Sequence, residues 1–503
     1  MMNTVLNAMQ EQANYKLTEN GGVALKSTRS AVLDMFALCG AYRSRSEEDC
    51  ILMFKNALEE DADMAMKCLF YLADCRGGQG ERRFFRVCFK WLAENYPVIA
   101  KRNIEFIPTY RRWDDIIYSC VDTPAQESAL AFIKKQLVLD TECKTPSLLA
   151  KWLPSENASS YETKRMGRIV RTYLNMTHKQ YRLVLSELRS RINIVEKLMS
   201  ENRWDEIEFD KIPSRAGLIY KNAFARRDMI AKKFEEFAKD KDTKVNASVL
   251  YPYECVSKVA NNIQGYWGNA GLKMSDVDRA IVEKYWENLP DYFDGQQSNM
   301  LCVVDTSGSM TGDEASAPIN IAISLGMYAA ERAGGPFKDH YISFSSRPQL
   351  IKIEGIDFAD KVYRIYKTNL CENTDLTRTF DMLLKIADRP DVKEEDIPEN
   401  IVVISDMEID NMVDDYDLWG RDHLQTEMDR VRAKWASHGH KLPKLVYWNV
   451  EARQNTILDM GPGVSYVSGM SPVIFESVIT GKTGYDLMVE KLVNSGRYDD
   501  IHA

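Results

Sequence analysis

The chain has 503 residues, a formal net charge of -9, 45% hydrophobic and 28% charged residues, and only 26 Gly and 16 Pro. This composition excludes a fibre, a linker or a largely disordered chain, and the length implies roughly two or three domains rather than one core. Residues 1–16 lack a basic start followed by an apolar run, and no stretch of about 18 or more apolar residues occurs, so the chain reads as cytoplasmic, with no membrane contact.

In chain order, residues 1–20 read as a tail and 21–290 as an all-α region. The stretch 47–74 predicts one or two helices, stopped at Arg76-Gly77-Gly78-Gln79-Gly80, where glycine permits the left-handed turn that ends a helix; Glu81 then opens the next. Seven cysteines fall in the first third of the chain with no CxxC pair (Cys39, Cys50, Cys68, Cys75, Cys88, Cys120, Cys143), as expected of reduced core thiols rather than disulfides. Thr177 with Gln180 forms a capping-box start, and Val184, Leu188, Ile192, Val195 and Met199 predict one apolar stripe on a single helix over 177–200. Such patterns, repeated without a convincing strand, predict stacked helical pairs, a HEAT-like helical-repeat domain. Residues 151–233 carry an excess of about eight positive charges, which makes Lys164, Arg165, Arg168, Arg171, Lys179, Arg182, Arg189 and Arg191 the candidates for contact with RNA phosphates.

Residues 291–298 read as a polar linker. From 299 onward, short apolar runs alternate with helical segments: Met300-Leu301-Cys302-Val303-Val304, Tyr341-Ile342-Ser343-Phe344, Leu350-Ile351-Lys352-Ile353, Ile401-Val402-Val403-Ile404, Leu445-Val446-Tyr447-Trp448 and Val464-Ser465-Tyr466-Val467. Near-continuous apolar strands alternating with helices predict a mostly parallel, doubly wound α/β domain over 299–495. It is the acidic part of the chain, with about 21 Lys and Arg against about 33 Asp and Glu from residue 301 onward. The fold class is therefore multidomain, α followed by α/β.

In open α/β sheets, ligands bind beyond the carboxyl ends of the strands. Asp305, Ser307 and Ser309 leave the first strand there, Asp406 tips the strand that ends at Ser405, and Thr374 with Asp375 sits in a loop before a helix. Hydroxyl and carboxylate oxygens without His or Cys suit a hard divalent cation, Mg2+ before Mn2+ or Ca2+. The D-x-S-x-S spacing lets alternate side chains converge on one point, with the small Gly308 between the serines. A vacant coordination position could then take an acidic side chain from a protein partner. The chain has neither a G-x-S-x-G elbow nor a complete G-x-x-x-x-G-K-[ST] loop, and the reading is of a binding protein, not an enzyme. His438 and His440 read as a surface turn rather than a transition-metal site.

The Asp305-Thr306-Ser307-Gly308-Ser309 segment in this setting resembles the metal ion-dependent adhesion site (MIDAS) of von Willebrand A domains. With a helical region before it, the chain resembles the Ro autoantigen group, the TROVE-module ribonucleoproteins, and a branch of that group found in plants, viruses and microbes. The stretches that carry the likeness are Asp74-Cys75-Arg76-Gly77-Gly78-Gln79-Gly80-Glu81-Arg82-Arg83, Arg112-Trp113-Asp114-Asp115, Trp152-Leu153-Pro154-Ser155-Glu156, Leu250-Tyr251-Pro252-Tyr253-Glu254, Ile404-Ser405-Asp406-Met407-Glu408, Tyr447-Trp448-Asn449-Val450 and Val467-Ser468-Gly469-Met470-Ser471-Pro472. The resemblance implies helical repeats closed into a ring through the A domain, binding small structured RNAs outside and RNA ends in the hole. It also implies a ligand set of Asp305, Ser307, Ser309, Thr374 and Asp406, and it departs at Glu372-Asn373, where Gly-Gly often stands. Two functions follow as expectations: a monomeric, Ro-like RNA-binding ribonucleoprotein component with a divalent-metal site, or a metal-dependent protein-interaction scaffold without RNA.

Overall fold

The structure, a computed structural model, describes residues 14–19, 23–192, 194–264, 271–293, 295, 298–312, 315–344, 348–368, 376–408, 427–458, 461–478 and 482–503. It divides into two compact units. The first comprises Met1–Arg45 with Leu250–Ser495, and the second Ser46–Val249 with Gly496–Ala503. Among the described residues no helix is long and apolar enough to cross a membrane.

The chain opens in the first unit with a hairpin of β1 (Tyr15–Leu17) and β2 (Val23–Leu25), followed by α1 (Ala31–Leu38). It then enters the second unit, which is helical. Helix α2 (Glu47–Glu60) starts where the Ser46 hydroxyl accepts the Asp49 N–H, and three acids in its first turn suit the positive end of the helix dipole. Asp61 both ends α2 and caps α3 (Ala62–Ala73), so 47–74 is two helices. The glycine turn that follows uses its glycines differently. Gly80 has φ +68°, whereas a Cβ on Gly78 would lie 1.9 Å from the Tyr71 carbonyl oxygen. The Glu81 carboxylate then accepts the Arg83 and Phe84 N–H groups and starts α4 (Arg82–Asn95). Phe70 of α3 packs edge-on against Phe85 and Phe89 of α4 and against Tyr110, all buried. Each buried phenylalanine contributes about 2–3 kcal/mol of apolar stabilisation. Residues 496–503 complete this unit: Arg497 pairs with the fully buried Asp74, and Tyr498 packs on Tyr71 and Tyr110.

Further along come α5 (Trp113–Cys120), α6 (Leu149–Trp152) and α7 (Tyr161–Tyr173), then two helices where one was expected: α8 (His178–Ile192) and α9 (Val195–Ser200). The Thr177–Gln180 capping box is present, each residue bonding the other's backbone N–H. The buried stripe of α8 is Tyr181, Leu185 and Leu188, one position out of step with the expected Val184 and Ile192, which are half-buried. Arg189, four residues after Leu185, draws that face onto the backbone carbonyls of Ala150 and Leu153.

The chain returns to the first unit at Leu250. There α10 (Pro252–Ala260) and α11 (Asp276–Glu287) pack against α12 (Pro318–Arg332) and α13 (Phe358–Thr368) of the α/β region. Trp286 stacks on Phe358 with ring centroids 4.6 Å apart, and Arg279 grips Asp357 through two nitrogens. The expected boundary near 290 is thus displaced, because the apolar faces of residues 252–287 are buried on the α/β helices. Of the expected tail, residues 14–19 are structured and residues 1–13 and 20 lie outside the described ones; just beyond it, Leu25 bridges Ile457 and α1 packs on the strand Val464–Ser468. The expected linker is packed too. Phe293 is buried against Tyr328 and Phe475, while residues 294, 296 and 297 lie outside the described residues.

All six predicted strands of the α/β region form, as β3 (Met300–Asp305), β4 (His340–Phe344), β5 (Gln349–Lys352), β6 (Asn400–Ser405), β7 (Lys444–Asn449) and β8 (Val464–Ser468). They make one sheet in the order β8-β7-β6-β3-β4-β5, parallel except for the edge pair β4–β5. Every residue of β3 and β6 is buried, as continuous apolar strands covered on both faces require. Gly326 lets α12 lie on β3, since a Cβ there would meet Val304 at 2.4 Å. The strand order reverses at β3, which has β4 on one side and β6 on the other, so the carboxyl ends of β3 and β6 flank the switch point.

Candidate metal centre

At the end of β3 the chain turns through Thr306 and Ser307 into a short turn, Gly308–Met310. The fully buried Asp305 carboxylate accepts the Ser307 N–H at 2.9 Å and the Ser405 hydroxyl of β6 at 2.5 Å. The Ser307 and Ser309 hydroxyls lie 3.0 Å apart. Asp406, one residue past β6, is also buried and accepts the Glu408 N–H at 3.2 Å. Between them Met407 adopts φ +66°, a strained backbone for a side chain of its size, held by its N–H bond to the Ser405 hydroxyl and by burial of its side chain. The expected need for a small residue at 308 is not met: a Cβ on Gly308 would face open space and its φ is ordinary.

Burial, reinforced by the neighbouring Asp406 charge, pushes the Asp305 carboxyl up to about 7. Among the described residues no cationic side chain pairs with Asp305. Asp406 does have one: Arg453, just beyond β7, binds its second oxygen, donates to the Ser309 carbonyl at 3.2 Å and reaches Glu19 at 3.1 Å. Glu19, at the end of the β1–β2 hairpin region, also gives its N–H to Glu408 at 2.7 Å. Glu408 is buried, accepts the Thr456 hydroxyl, and has its carboxyl raised by burial. Two buried carboxylates and two convergent hydroxyls against a single guanidinium fit a divalent cation, which Asp305, Ser307, Ser309 and Asp406 would hold. Thr374, with Glu372, Asn373 and Asp375, lies outside the described residues. No cluster of three or more His, Cys, Asp or Glu able to hold a metal occurs among the described residues. His438 and His440 both lie against Asp388, at 2.9 and 3.2 Å.

The basic residues singled out for RNA divide into two groups. Arg165 is tied to Glu162 and Asp122, Arg171 to Glu156, Arg189 to the carbonyls of Ala150 and Leu153, and Arg191 to Glu187 and two carbonyls of the 141–143 segment. These four are committed to internal partners. Arg168, Lys179 and Arg182 are exposed and Lys164 half-exposed, with no such partners among the described residues, and Arg191 is exposed despite its own. Nine cysteines are described; none is in a disulfide, and seven are buried, as expected of core thiols.

Sequence reasoning missed Ser405, Glu408, Arg453 and Glu19. A signal existed for Arg453, which follows the carboxyl end of a parallel strand just as Asp305 and Asp406 do. None existed for Glu19, which reaches the site only through the packing of the hairpin.

Comparison with known proteins places two family models on the chain. One, described as "Domain of unknown function (DUF2828)", matches residues 18–115 and 137–309, more than half of the sequence. The other, "Domain of unknown function (DUF7788)", matches residues 299–497. An uncharacterized protein of Acanthamoeba polyphaga mimivirus is 27% identical, over 93% of this chain and 85% of the relative. Among solved structures, the Deinococcus radiodurans RO (RSR) protein is similar over 92% of this chain and 99% of its own, with a TM-score of 0.48 and 15% identity.

Proposed function

The chain belongs to the DUF2828 family, and we propose that it is a non-catalytic binding protein whose α/β unit, a von Willebrand A-like domain, holds a divalent cation, Mg2+ foremost, and through it an acidic side chain of a partner. The observation that carries this reading is the fully buried Asp305 carboxylate, which has no cation beside it among the described residues and lies next to a second buried carboxylate, Asp406. Such a pair is costly unless a charge is supplied. The Ser307 and Ser309 hydroxyls lie 3.0 Å apart, and Ser307 also hydrogen-bonds the Asp305 carboxylate, so the oxygens gather as a ligand set would. Thermal unfolding of the full chain with and without Mg2+ or Mn2+ tests the reading. A saturating cation should raise the midpoint, by the equivalent of about 2.7 kcal/mol at a hundredfold excess over Kd, and Asp305→Asn should abolish the rise. An unchanged wild-type midpoint would sink it.

A second reading, Ro-like RNA binding, is favoured by one observation: Lys164, Arg168, Lys179 and Arg182 lie exposed or half-exposed on the successive helices α7 and α8. Filter binding of a small structured RNA at increasing salt checks it, since phosphate contacts make log affinity fall linearly with log salt.

A further inference from the structure

Three of the sequence stretches quoted above converge in the helical unit, away from any role in the cation site. Arg82 and Arg86 project from α4 and reach the carboxylates of both Asp114 and Asp115, and Arg112, which precedes α5, reaches that of Asp114. Arg111 reaches Asp115 as well, through Nε, but its Nη1 is spent on the carbonyls of Ala73 and Gly80 and its side chain is buried. Four guanidiniums thus surround two carboxylates, leaving two positive charges uncompensated in a partly buried place.

The geometry presents that surplus outward. Arg82 and Arg86 each bind both aspartates through Nε and Nη2, whereas Arg112 donates to Asp114 through Nη2 alone, at 3.5 Å, its Nε lying 3.3 Å from the other Asp114 oxygen without a hydrogen bond; among the described residues no acceptor takes the three Nη1 groups. Their side chains remain 34%, 24% and 33% exposed. Two of the guanidinium planes are fixed by aromatic rings, Arg86 over Tyr118 and Arg112 over Trp152, each 4.2 Å from the ring centroid. Guanidiniums whose orientation is already set lose little entropy when they bind an oxyanion.

We propose that Arg82, Arg86 and Arg112 form an oxyanion site that takes a phosphate group. A purely structural clamp between α4 and α5 would need only as many arginines as carboxylates. The surplus, the Nη1 groups without acceptors and the two guanidiniums held over aromatic rings suit charge-assisted recognition of phosphate.

Thermal unfolding of the metal-free full chain in phosphate, against chloride at equal ionic strength and pH, tests the site. Phosphate should raise the midpoint where chloride does not, and Arg112→Gln, which removes the most loosely held guanidinium, should weaken the apparent phosphate affinity roughly tenfold. An effect of phosphate no larger than that of chloride would overturn the proposal, as would a full phosphate effect in a folded Arg112→Gln protein. Should that variant fail to fold, fluorescence of the wild-type tryptophans decides, since Trp113 and Trp152 adjoin the cluster: a saturable response to phosphate and none to chloride supports the site, and identical responses reject it. Uridine hexanucleotide in place of inorganic phosphate identifies the source. Saturation at a lower concentration assigns the phosphate to a nucleic-acid strand, and saturation at an equal or higher one assigns it to a small phosphate compound.

Discussion

Two pairs of aspartates, Asp305 with Asp406 and Asp114 with Asp115, are each held largely out of water, yet their surroundings differ in sign. The first pair has one guanidinium, that of Arg453, and the second has four. A buried carboxylate pair does not by itself dictate a metal. What neighbouring elements bring to it decides whether the place has a deficit of positive charge, to be filled by a cation, or an excess, to be filled by an anion.

Substitutions break this comparison where it is strongest. Asp115→Ala leaves Arg82, Arg86 and Arg111 without their shared acceptor and should lower the free energy of unfolding by about 3 kcal/mol or more, measured by urea titration. Asp305→Asn in metal-free protein should act in the opposite direction, raising stability by on the order of 1 kcal/mol; a loss at both positions would show that the pairs are equivalent. Arg453→Gln should raise Mg2+ affinity up to about tenfold, by calorimetric titration, because guanidinium and cation compete for the same Asp406 oxygen. If Arg453 instead supports the cation, affinity falls.

A gentler probe is pH. With Asp305 titrating at about 7 in the folded chain and near 3.8 when unfolded, the folded state retains an extra proton between those values. The metal-free protein should therefore lose stability as pH rises from about 4 to about 7, and Mg2+, which displaces that proton, should bind more tightly across the same window. Thermal midpoints and calorimetry at intervals of pH check both trends. The smallest effect is expected from Arg168→Gln combined with Arg182→Gln: stability within about 0.5 kcal/mol, with a shallower salt dependence of RNA affinity if that surface binds RNA.

The six strands were legible because buried parallel strands write themselves as unbroken apolar runs. That Asp305, Ser307, Ser309 and Asp406 lie at adjoining strand ends was legible because each directly ends or follows such an apolar run. The partners of each helix were not. Periodicity shows that residues 252–287 bury a face, but the α/β helices that receive it are chosen by shape and not by period. Charge counting failed for a related reason: Arg171 and Arg189 look like surface cations until Glu156 and the Ala150 carbonyl are folded against them. The acids and carbonyls that neutralise an arginine come from elsewhere in the sequence, as Glu19 does for Arg453 at the candidate cation site.

The chain passes between the two units at 45/46, 249/250 and 495/496, and this ordering has a bearing on its birth on the ribosome. At about 5–20 residues per second, helix α1 waits tens of seconds before strand β8 exists to receive it. Asp74, fully buried in the finished molecule, waits about as long for Arg497. The first unit cannot close until the 250–495 segment has followed its opening hairpin and helix, and the second lacks residues 496–503 until after that, so each spends tens of seconds of synthesis with apolar helix faces uncovered.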